Sequence, residues 1–344
     1  MLSETTVIGS FLFVLGACVG SFLNVCIVRW PHEKSVVKPR SHCPKCQKPI
    51  AWSDNIPLFS YILLGAKSRC CHQRIPFRYF FVELLTACAF VGFYLYYGLD
   101  IILIPYLFML SCFIVATFVD FEHRLIPDEV SVGGMVFGLV FAALIPSMFT
   151  VDQQAVEVGR LIMRIITTLI LLDCLVSVIR YKKNPPKNED GEEEEYIDFW
   201  LLGIICAATI FDWLVENKLS VIQQSGLKSI IPHVVSLDIA VIGFMVGGGS
   251  IYAMGVLGDF LFKKESMGGG DVKLMAMVGA FLGWKLAILS FFIAPFFGAI
   301  YGIYEKIRTK DTVIAYGPFL VLGSLISLFW GELIIHWIIN GYRF

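Results

Sequence analysis

The sequence predicts an all-α, polytopic membrane protein with about eight to ten membrane-spanning helices. Of its 344 residues, 57% are hydrophobic and only 16% are charged, and the mean hydropathy is +0.75. A soluble protein of this length and composition would expose a large apolar surface to water. Several apolar runs also reach the roughly 20 residues that a helix needs to cross a bilayer, and they lack the alternation typical of membrane barrel strands.

The first predicted span, residues 7–28, is followed by a strongly basic loop that sets the orientation of the chain. Residues 29–78 contain ten Lys and Arg residues against two acids, Glu33 and Asp54. The positive-inside rule places such a loop in the cytoplasm, so the N-terminus is predicted to lie outside. Because no Lys or Arg precedes the first span, it differs from a basic signal-peptide start and is predicted to be retained.

The later spans are predicted from the remaining apolar runs. The clearest of these runs are residues 79–98, 101–119, 130–149, 239–262 and 314–339. The run 272–304 is too long for one ordinary crossing, and Gly283 is expected to divide it into two short helices.

The region 150–237 is expected to be an insertion between these spans. Residues 160–179 and 199–215 either cross the membrane twice or do not cross, and neither choice changes the side on which the other helices end. Between them, the loop 184–198 holds four glutamates at 192–195 and few apolar residues, so it is predicted to be mobile and cytoplasmic.

These features divide the chain into five parts. They are the first helix at 1–28, the cytoplasmic loop at 29–78, the helices of 79–149, the insertion at 150–237 and the final helices of 238–344.

The third and fifth parts each place an aspartate at the boundary of the membrane. Asp120 ends one span, and Asp271 begins another behind Gly268, Gly269 and Gly270. The parity of the spans puts both acids on the cytoplasmic face. A charge at that depth raises the free energy by at least a few kcal/mol, so it is seldom there for packing alone. Glycines let the backbone approach another chain closely and adopt positive φ, which leaves room for a substrate.

Two carboxylates held together near an apolar boundary can hydrolyse a peptide bond. Desolvation and mutual repulsion leave one proton shared by the pair. The charged partner takes a proton from water as the water attacks the amide carbonyl, while the protonated partner donates a hydrogen bond to the carbonyl oxygen. One acid at a helix end is more often solvated, or paired with a lysine such as Lys273. Two acids on the same face favour the catalytic interpretation.

Two further acids support a rival hypothesis, an ion-coupled membrane transporter that uses intramembrane carboxylates. Asp173 and Asp212 lie inside the apolar runs of the insertion. Charged residues at such depth commonly line an ion pathway or pair with one another. Asp173 is expected to pair either with Arg164 or with a cation in transit.

Four of the ten cysteines cluster in the basic loop, and their spacing is typical of a metal site rather than of disulfides. Tetrahedral zinc needs four thiolate or imidazole ligands. Cys43, Cys46 and Cys71 would supply three of them, and either Cys70 or His72 the fourth. The alternative is a loop of reduced cysteines without metal.

Several short blocks follow one another along the chain in an order that is more specific than any block alone. They are residues 20–25 with Arg29-Trp30-Pro31, Asp54-Asn55-Ile56-Pro57, Arg78-Tyr79, residues 82–85, Asp120 with Ile126-Pro127-Asp128, residues 267–274 around Asp271, and Tyr316-Gly317-Pro318-Phe319. With these blocks the chain resembles the bacterial type IV prepilin leader peptidases, GxGD-type intramembrane aspartic proteases that are also N-methyltransferases.

The resemblance implies removal of the short basic leader from type IV prepilins or pseudopilins at the cytoplasmic face of the bacterial inner membrane. Asp120 and Asp271 are then the catalytic residues, with Gly268 and Gly270 supplying active-site backbone. The partners implied are the N-terminal helix of the prepilin and the lipid bilayer, and no nucleic acid. S-adenosylmethionine is implied as methyl donor for the new N-terminus, with the first cytoplasmic loop linked to that activity. No residue can be assigned to the donor from the sequence.

The sequence departs from the family pattern in two places. The family loop usually carries two CxxC pairs, and here Ser68 stands where the first cysteine of the second pair is expected. The stretch between Asp120 and Asp271 is also longer than usual because of the insertion. The acidic run at 192–195 is expected to be solvated, with attraction of basic leaders as the alternative.

Overall fold

The fold is helical in the part of the chain that the computed structural model describes, residues 4–43, 45–183, 199–224, 228–262, 267–309 and 314–341. The helices are α1 (Glu4–Arg29), α2 (Phe59–Leu63), α3 (Phe77–Tyr97), α4 (Leu103–His123), α5 (Asp128–Leu144), α6 (Gln153–Lys183), α7 (Phe199–Gln224), α8 (Ile231–Phe262), α9 (Gly269–Thr309) and α10 (Gly317–Asn340). Short 3-10 helices lie at Trp30–His32, Trp52–Asn55, Pro146–Met148 and Lys228–Ile230. The β-structure in these residues is limited to two isolated bridges, His42 with Pro49 and Lys67 with Arg74. The predicted all-α class is confirmed.

Six helices of the described residues are long and apolar enough to cross a membrane, namely α1, α3, α4, α8, α9 and α10. The expected break in the run 272–304 is confirmed, because Gly283 has φ 77° and ψ 171° inside α9. Helix α5 has only 17 residues. Helices α6 and α7 carry Arg160, Arg164 and Asp212, which lower their apolar character. Two crossings by the inserted region therefore stay a prediction.

The chain forms two compact units, of which the first comprises Met1–Val130 and Val313–Pro318. In it α1 packs closely along α3. A Cβ atom at Gly16 or Gly20 would lie 2.8 Å from the Cα of Ala87 or Glu83, so only glycine allows this approach. Near the C-terminal end of α1, Asn24 donates a hydrogen bond to the carbonyl oxygen of Tyr79 (3.0 Å). This packing fixes α1 and α3 as the base on which the loop 29–78 is built.

The second unit comprises Ser131–Thr312 and Phe319–Phe344, and its central feature is the contact between α8 and α9. A Cβ atom at Gly243, Gly247 or Gly279 would collide with the backbone of the facing helix. Glycine at these three positions therefore allows the backbones of α8 and α9 to pack closely. Helices α6 and α7 pack on α8 through an apolar cluster that includes Met163, Ile166, Ile205 and Met245.

A buried ion cluster joins the three helices α6, α7 and α8. Arg160 donates from Nε to Asp212 (2.7 Å) and from Nη2 to Asp238 (2.5 Å), and both carboxylates are almost fully buried. Arg164 donates to Glu216 (2.6 Å) at the exposed edge of the cluster. Asp212, one of the two acids in the apolar runs of the insertion, is therefore paired with an arginine of the same chain.

The other intramembrane acid has a partner that the sequence did not indicate. Asp173 accepts a hydrogen bond from the hydroxyl of Tyr252 (2.8 Å), whereas Arg164 is engaged by Glu216. The expected pairing of Asp173 with Arg164 is therefore wrong, because the two side chains lie on α6 with different neighbours on α7 and α8. The acidic loop 184–198 lies outside the described residues.

Candidate active site

Asp120 lies in the last turn of α4, where the helix ends in a tight left-handed cap. Arg124 has φ 56° and donates its backbone N–H to the carbonyl oxygen of Asp120 (2.8 Å). In the two turns before Asp120, α4 also buries Phe113, Ile114 and Val119. As a result the Asp120 side chain is drawn into the protein, and the residue is only 5% exposed.

The carboxylate of Asp120 is held by the first residue of α10. The backbone N–H of Gly317 donates to Oδ2 of Asp120 (2.9 Å). A Cβ atom at position 317 would lie 2.8 Å from the same oxygen, so the contact requires glycine. Helix N-termini present unpaired N–H groups and favour negative charge, and both effects suit a carboxylate here. Tyr316 and Gly317 belong to one of the sequence blocks, but the sequence did not predict that the N–H of Gly317 binds Asp120.

The residues around Asp120 form a polar rim at the end of α4. Arg78, at the start of α3, pairs with Glu122. The ring of His123 lies edge-on to that of His32, with centroids 5.6 Å apart. Since Glu122 is held by an arginine, Asp120 is the buried acid of this turn.

Asp271 lies in the first turn of α9, two residues after the helix begins at Gly269. Its backbone N–H donates to the carbonyl oxygen of Gly268 (3.1 Å), and the residue is half-buried. A Cβ atom at Gly268 would meet Oδ2 of Asp271 only at 3.6 Å, and one at Gly269 would meet nothing within 4 Å. The described glycines with positive φ are Gly65, Gly98, Gly283 and Gly341, and the glycines of the motif are not among them. Gly269 therefore leaves open space near the acid in an ordinary helical turn.

The two acids belong to different units, Asp120 to the first and Asp271 to the second. That the carboxylates of Asp120 and Asp271 act together on one water molecule remains a prediction from the sequence.

The four loop cysteines come together in the first unit. The Sγ atoms of Cys43, Cys46, Cys70 and Cys71 all lie within 4.8 Å of one another. Individual separations are 3.6 Å for Cys43 with Cys71 and 3.3 Å for Cys46 with Cys70. Four sulfur atoms around a tetrahedral zinc ion are about 3.8 Å apart, because Zn–S bonds are about 2.3 Å long. The donor set therefore fits zinc, and the cluster includes Cys70 rather than His72.

Two turns with the same hydrogen bonds bring these cysteines together. In the first, Cys43 donates its N–H to the carbonyl of Lys48 (2.9 Å), and Gln47 has φ 57°. In the second, Ser68 donates to the carbonyl of Gln73 (2.8 Å), and the corresponding left-handed residue has φ 53°. Ser68 thus occupies the place that Cys43 has in the first turn, as the sequence predicted.

The missing cysteine at position 68 is replaced by the neighbouring Cys70. The hydroxyl of Ser68 lies 3.3 Å from Sγ of Cys71 and lowers the pKa of that thiol. Backbone N–H groups of Cys46 and Lys45 lower the pKa of Cys43 to about 6. Both effects favour the thiolate form that binds metal. The adjacent pair Cys70-Cys71 is the signal in the sequence that allowed this set to be proposed.

The second turn is also tied to the rest of the loop. Arg69 forms a two-pronged pair with Asp54, with N···O distances of 2.9 to 3.1 Å. Glu83 of α3 accepts the backbone N–H of Leu58 (2.7 Å). Together these bonds connect the cysteine cluster to α3 through the segment 54–58.

Comparison with protein families gives two matches on this chain. Residues 14–97 match the bacterial Peptidase A24 N-terminal domain, and residues 197–303 match the type IV leader peptidase family. The first match contains the cysteine loop and the second contains Asp271. Asp120 lies between them, so its assignment rests on its sequence block and on the Gly317 contact.

Three proteins that are similar to this chain are named prepilin leader peptidase/N-methyltransferase. The protein of Myxococcus xanthus is 29% identical over 87% of this chain and 63% of its own length. That of Pectobacterium carotovorum is 28% identical, with 92% of this chain and 91% of the relative covered. That of Bacillus subtilis is 25% identical, with 96% and 98% covered. The comparison with solved structures gave no significant match.

Six helices long and apolar enough to cross a membrane, together with the match to a leader peptidase family, define a polytopic membrane protein of the peptidase class. The two family matches fall in the expected order on the chain, and the relatives match along nearly all of it. The chain belongs to the type IV leader peptidase family.

Proposed function

We propose that the chain is a membrane aspartic endopeptidase that removes the basic leader of type IV prepilins or pseudopilins and then N-methylates the new N-terminus. Cleavage takes place at the cytoplasmic face of the bacterial inner membrane. The observation that carries the proposal is the buried Asp120, whose carboxylate is held by the N–H of Gly317 in a chain of this family.

The contact with Gly317 gives the two oxygens of Asp120 different roles. Oδ2 accepts the backbone N–H, which leaves Oδ1 to accept a proton from the attacking water. In the proposed pair, Asp271 carries the shared proton and donates a hydrogen bond to the scissile carbonyl oxygen. The proton held by the pair then passes to the leaving amine. The open space beside Gly269 accommodates the backbone of the substrate.

Zinc has a structural role in this proposal. Cys43, Cys46, Cys70 and Cys71 would hold it, and four thiolates around one ion complete a tetrahedral shell. The ion would supply a rigid crosslink between the two turns of the loop.

The transporter hypothesis finds no support in the surroundings of the two intramembrane acids. Asp212 is neutralised by Arg160, and Asp173 accepts a hydrogen bond from Tyr252. Both carboxylates thus have partners that hold helices together.

The test is co-expression of the full chain with a tagged prepilin, followed by mass spectrometry of the pilin N-terminus. Asp120→Asn and Asp271→Asn should each reduce leader removal by a factor on the order of 10³ or more, because each keeps the shape and removes the proton chemistry. Asp173→Asn is the matched control and should cleave normally. Normal cleavage by the Asp271→Asn variant would contradict the proposal, and loss of ion uptake in the Asp173→Asn variant would favour the transporter.

A further inference from the structure

The short helix α2, in the loop between α1 and α3, presents an uncovered apolar face. Phe59, Ile62 and Leu63 recur at the spacing of one helical turn, so they share one side of the helix. Their exposed fractions are 60%, 66% and 71%. Large apolar side chains grouped at a surface usually mark a place where a protein binds a partner or a membrane. These three residues are called the α2 face below.

The other side of α2 is attached to α3. Ser60 is buried, and the ring of Tyr61 packs on that of Phe80, with centroids 5.2 Å apart. Just before the helix, Leu58 donates its backbone N–H to the carboxylate of Glu83 (2.7 Å). Because these contacts fix one side of the helix on the protein, the α2 face is held in its outward orientation.

A row of aromatic rings connects α2 with the uncovered side of α3. Phe77 lies 5.9 Å from Phe80 and 6.2 Å from Phe81, measured between ring centroids. Phe77 and Phe81 are 63% and 43% exposed, and they lie in the first two turns of a helix that is long and apolar enough to cross a membrane. Aromatic side chains are enriched at the level of the lipid headgroups. The row therefore places α2 beside the boundary of the membrane.

Two cations lie between α2 and α3. Lys67 and Arg74 face each other in an isolated antiparallel bridge, so their side chains project to the same side of it. Both residues are exposed, and neither has an acidic partner among the described residues. The loop 29–78 has two acids, and one of them, Asp54, is paired with Arg69. The apolar α2 face thus has uncompensated positive charge next to it.

We infer that the α2 face is a second contact between this protein and the membrane, at which the loop 29–78 docks on the lipid surface. The apolar side chains of the α2 face enter the boundary between headgroups and acyl chains, as interfacial helices do. Lys67 and Arg74 bind the phosphates of the surrounding headgroups and favour anionic lipids. In the proposed orientation this surface is the inner leaflet. The inference does not depend on the proposed peptidase activity.

The charge of the loop argues against two other occupants. The basic leader of a prepilin would be repelled by Lys67 and Arg74. A second copy of the chain would bring together two loops that each carry ten Lys and Arg residues against two acids. A lipid surface has the opposite charge and already surrounds the neighbouring helix α3.

The experiment is photo-crosslinking of the full chain in nanodiscs made of equal parts of phosphatidylglycerol and phosphatidylcholine. Leu63→p-benzoylphenylalanine places a photoreactive ring on the α2 face, and the products are identified by mass spectrometry of the peptide that contains position 63. Phospholipid adducts should be the main product. The control is Lys48→p-benzoylphenylalanine, at an exposed position in the first cysteine turn, and it should give little lipid adduct.

A second comparison tests the two cations. With Leu63→p-benzoylphenylalanine, adducts of phosphatidylglycerol should exceed those of phosphatidylcholine about fivefold or more, the factor expected for one cation near an anionic surface. Adding Lys67→Gln with Arg74→Gln should bring this ratio close to one. The matched control removes the same charge at two other exposed lysines of the loop, Lys34→Gln with Lys38→Gln, and should keep the preference.

Four results would overturn the inference. Crosslinked dimers of the chain at position 63 would identify a second copy as the occupant, and adducts with an added prepilin would identify the substrate. Equal lipid adducts at positions 48 and 63 would show that the α2 face has no special contact with lipid. An equal loss of the phosphatidylglycerol preference in both double variants would indicate a general effect of charge. Leader removal is measured separately, so its absence counts against the proposed peptidase and not against the lipid contact.

Discussion

At the scale of single residues, one backbone N–H sets the geometry of Asp120. Without a fixed partner, a carboxylate at the end of a membrane helix can adopt several rotamers, and water can hydrogen-bond to both of its oxygens. The N–H of Gly317 engages Oδ2, and the buried turn of α4 excludes most solvent. Such preorganisation avoids reorienting the group during the reaction. Gly317 acts here as a positioning residue.

Gly317→Ala should lower leader cleavage about 10- to 100-fold, because the new Cβ would lie 2.8 Å from Oδ2 of Asp120 and displace the carboxylate. The variant is assayed for cleavage and for its thermal unfolding midpoint. Gly92→Ala is the control, since a Cβ there meets nothing within 4 Å. If Gly317→Ala cleaved at the rate of Gly92→Ala, the positioning role would be excluded.

At the scale of elements, the cysteine loop shows how a departure from a motif can be compensated. The two turns have matching hydrogen bonds, and Cys43 supplies a sulfur ligand from the first position of the first turn. The equivalent position of the second turn is Ser68, which has no sulfur. The adjacent Cys70 reaches Sγ of Cys46 at 3.3 Å and restores four sulfur ligands. His72 adopts the left-handed conformation that ends the turn, so its backbone rather than its ring has the structural role.

Purified chain should contain one zinc ion, measured by inductively coupled plasma mass spectrometry. Cys70→Ser should release it at chelator concentrations that the unaltered chain withstands, because only three thiolates would remain. His72→Ala should retain zinc, since its ring is outside the cluster. Equal zinc loss from both variants would show that His72 takes part in binding.

The inserted helices are held by the cluster around Arg160. This one guanidinium is paired with two carboxylates that are 3% and 2% exposed. Removing one partner of a buried pair leaves an uncompensated charge, which is far more destabilising than loss of an exposed pair.

Arg160→Met should lower the free energy of unfolding by about 3–5 kcal/mol, measured by denaturant titration in detergent. Arg164→Met should lower it by clearly less than Arg160→Met, because both members of its pair with Glu216 are well exposed and its nitrogen lies 4.0 Å from the buried Asp212. Equal effects of the two substitutions would show that burial does not decide the importance of Arg160.

At the scale of the whole molecule, the proposed chemistry needs Asp120 and Asp271 on one side of the membrane. The basic loop orients α1, and each later span reverses the direction of the chain. Of the described helices between the acids, α8 is the one long and apolar enough by itself to cross, so the parity requires that α5, with 17 residues, crosses as well. Two further crossings by α6 and α7 would leave the parity unchanged.

Fusions of a reporter enzyme that is active only outside the cytoplasm would test the orientation. A reporter joined after Arg124 or after Phe262, the last residue of α8, should be inactive, because both positions follow helices that are proposed to end in the cytoplasm. One joined after Leu99, in the turn between α3 and α4, should be active. An active reporter after Phe262 together with an inactive one after Arg124 would put the acids on opposite faces and contradict the proposed site.

Composition and hydropathy by themselves determined the class of the protein, because about 20 apolar residues in a row have few stable solutions other than a membrane helix. The same local signals predicted the break at Gly283, the two acids at helix ends and the cysteine cluster. Each depends on residues close in the chain or on a recognisable motif.

The partners of buried polar groups were decided only by the tertiary structure. Asp120 with Gly317, Asp173 with Tyr252 and Arg160 with Asp212 and Asp238 join residues that are distant in sequence. Apolar runs carry no information on which helix face meets which, since neighbouring residues are equally hydrophobic. Packing of small residues, such as Gly243 against Gly279, selects the face and with it the polar partner.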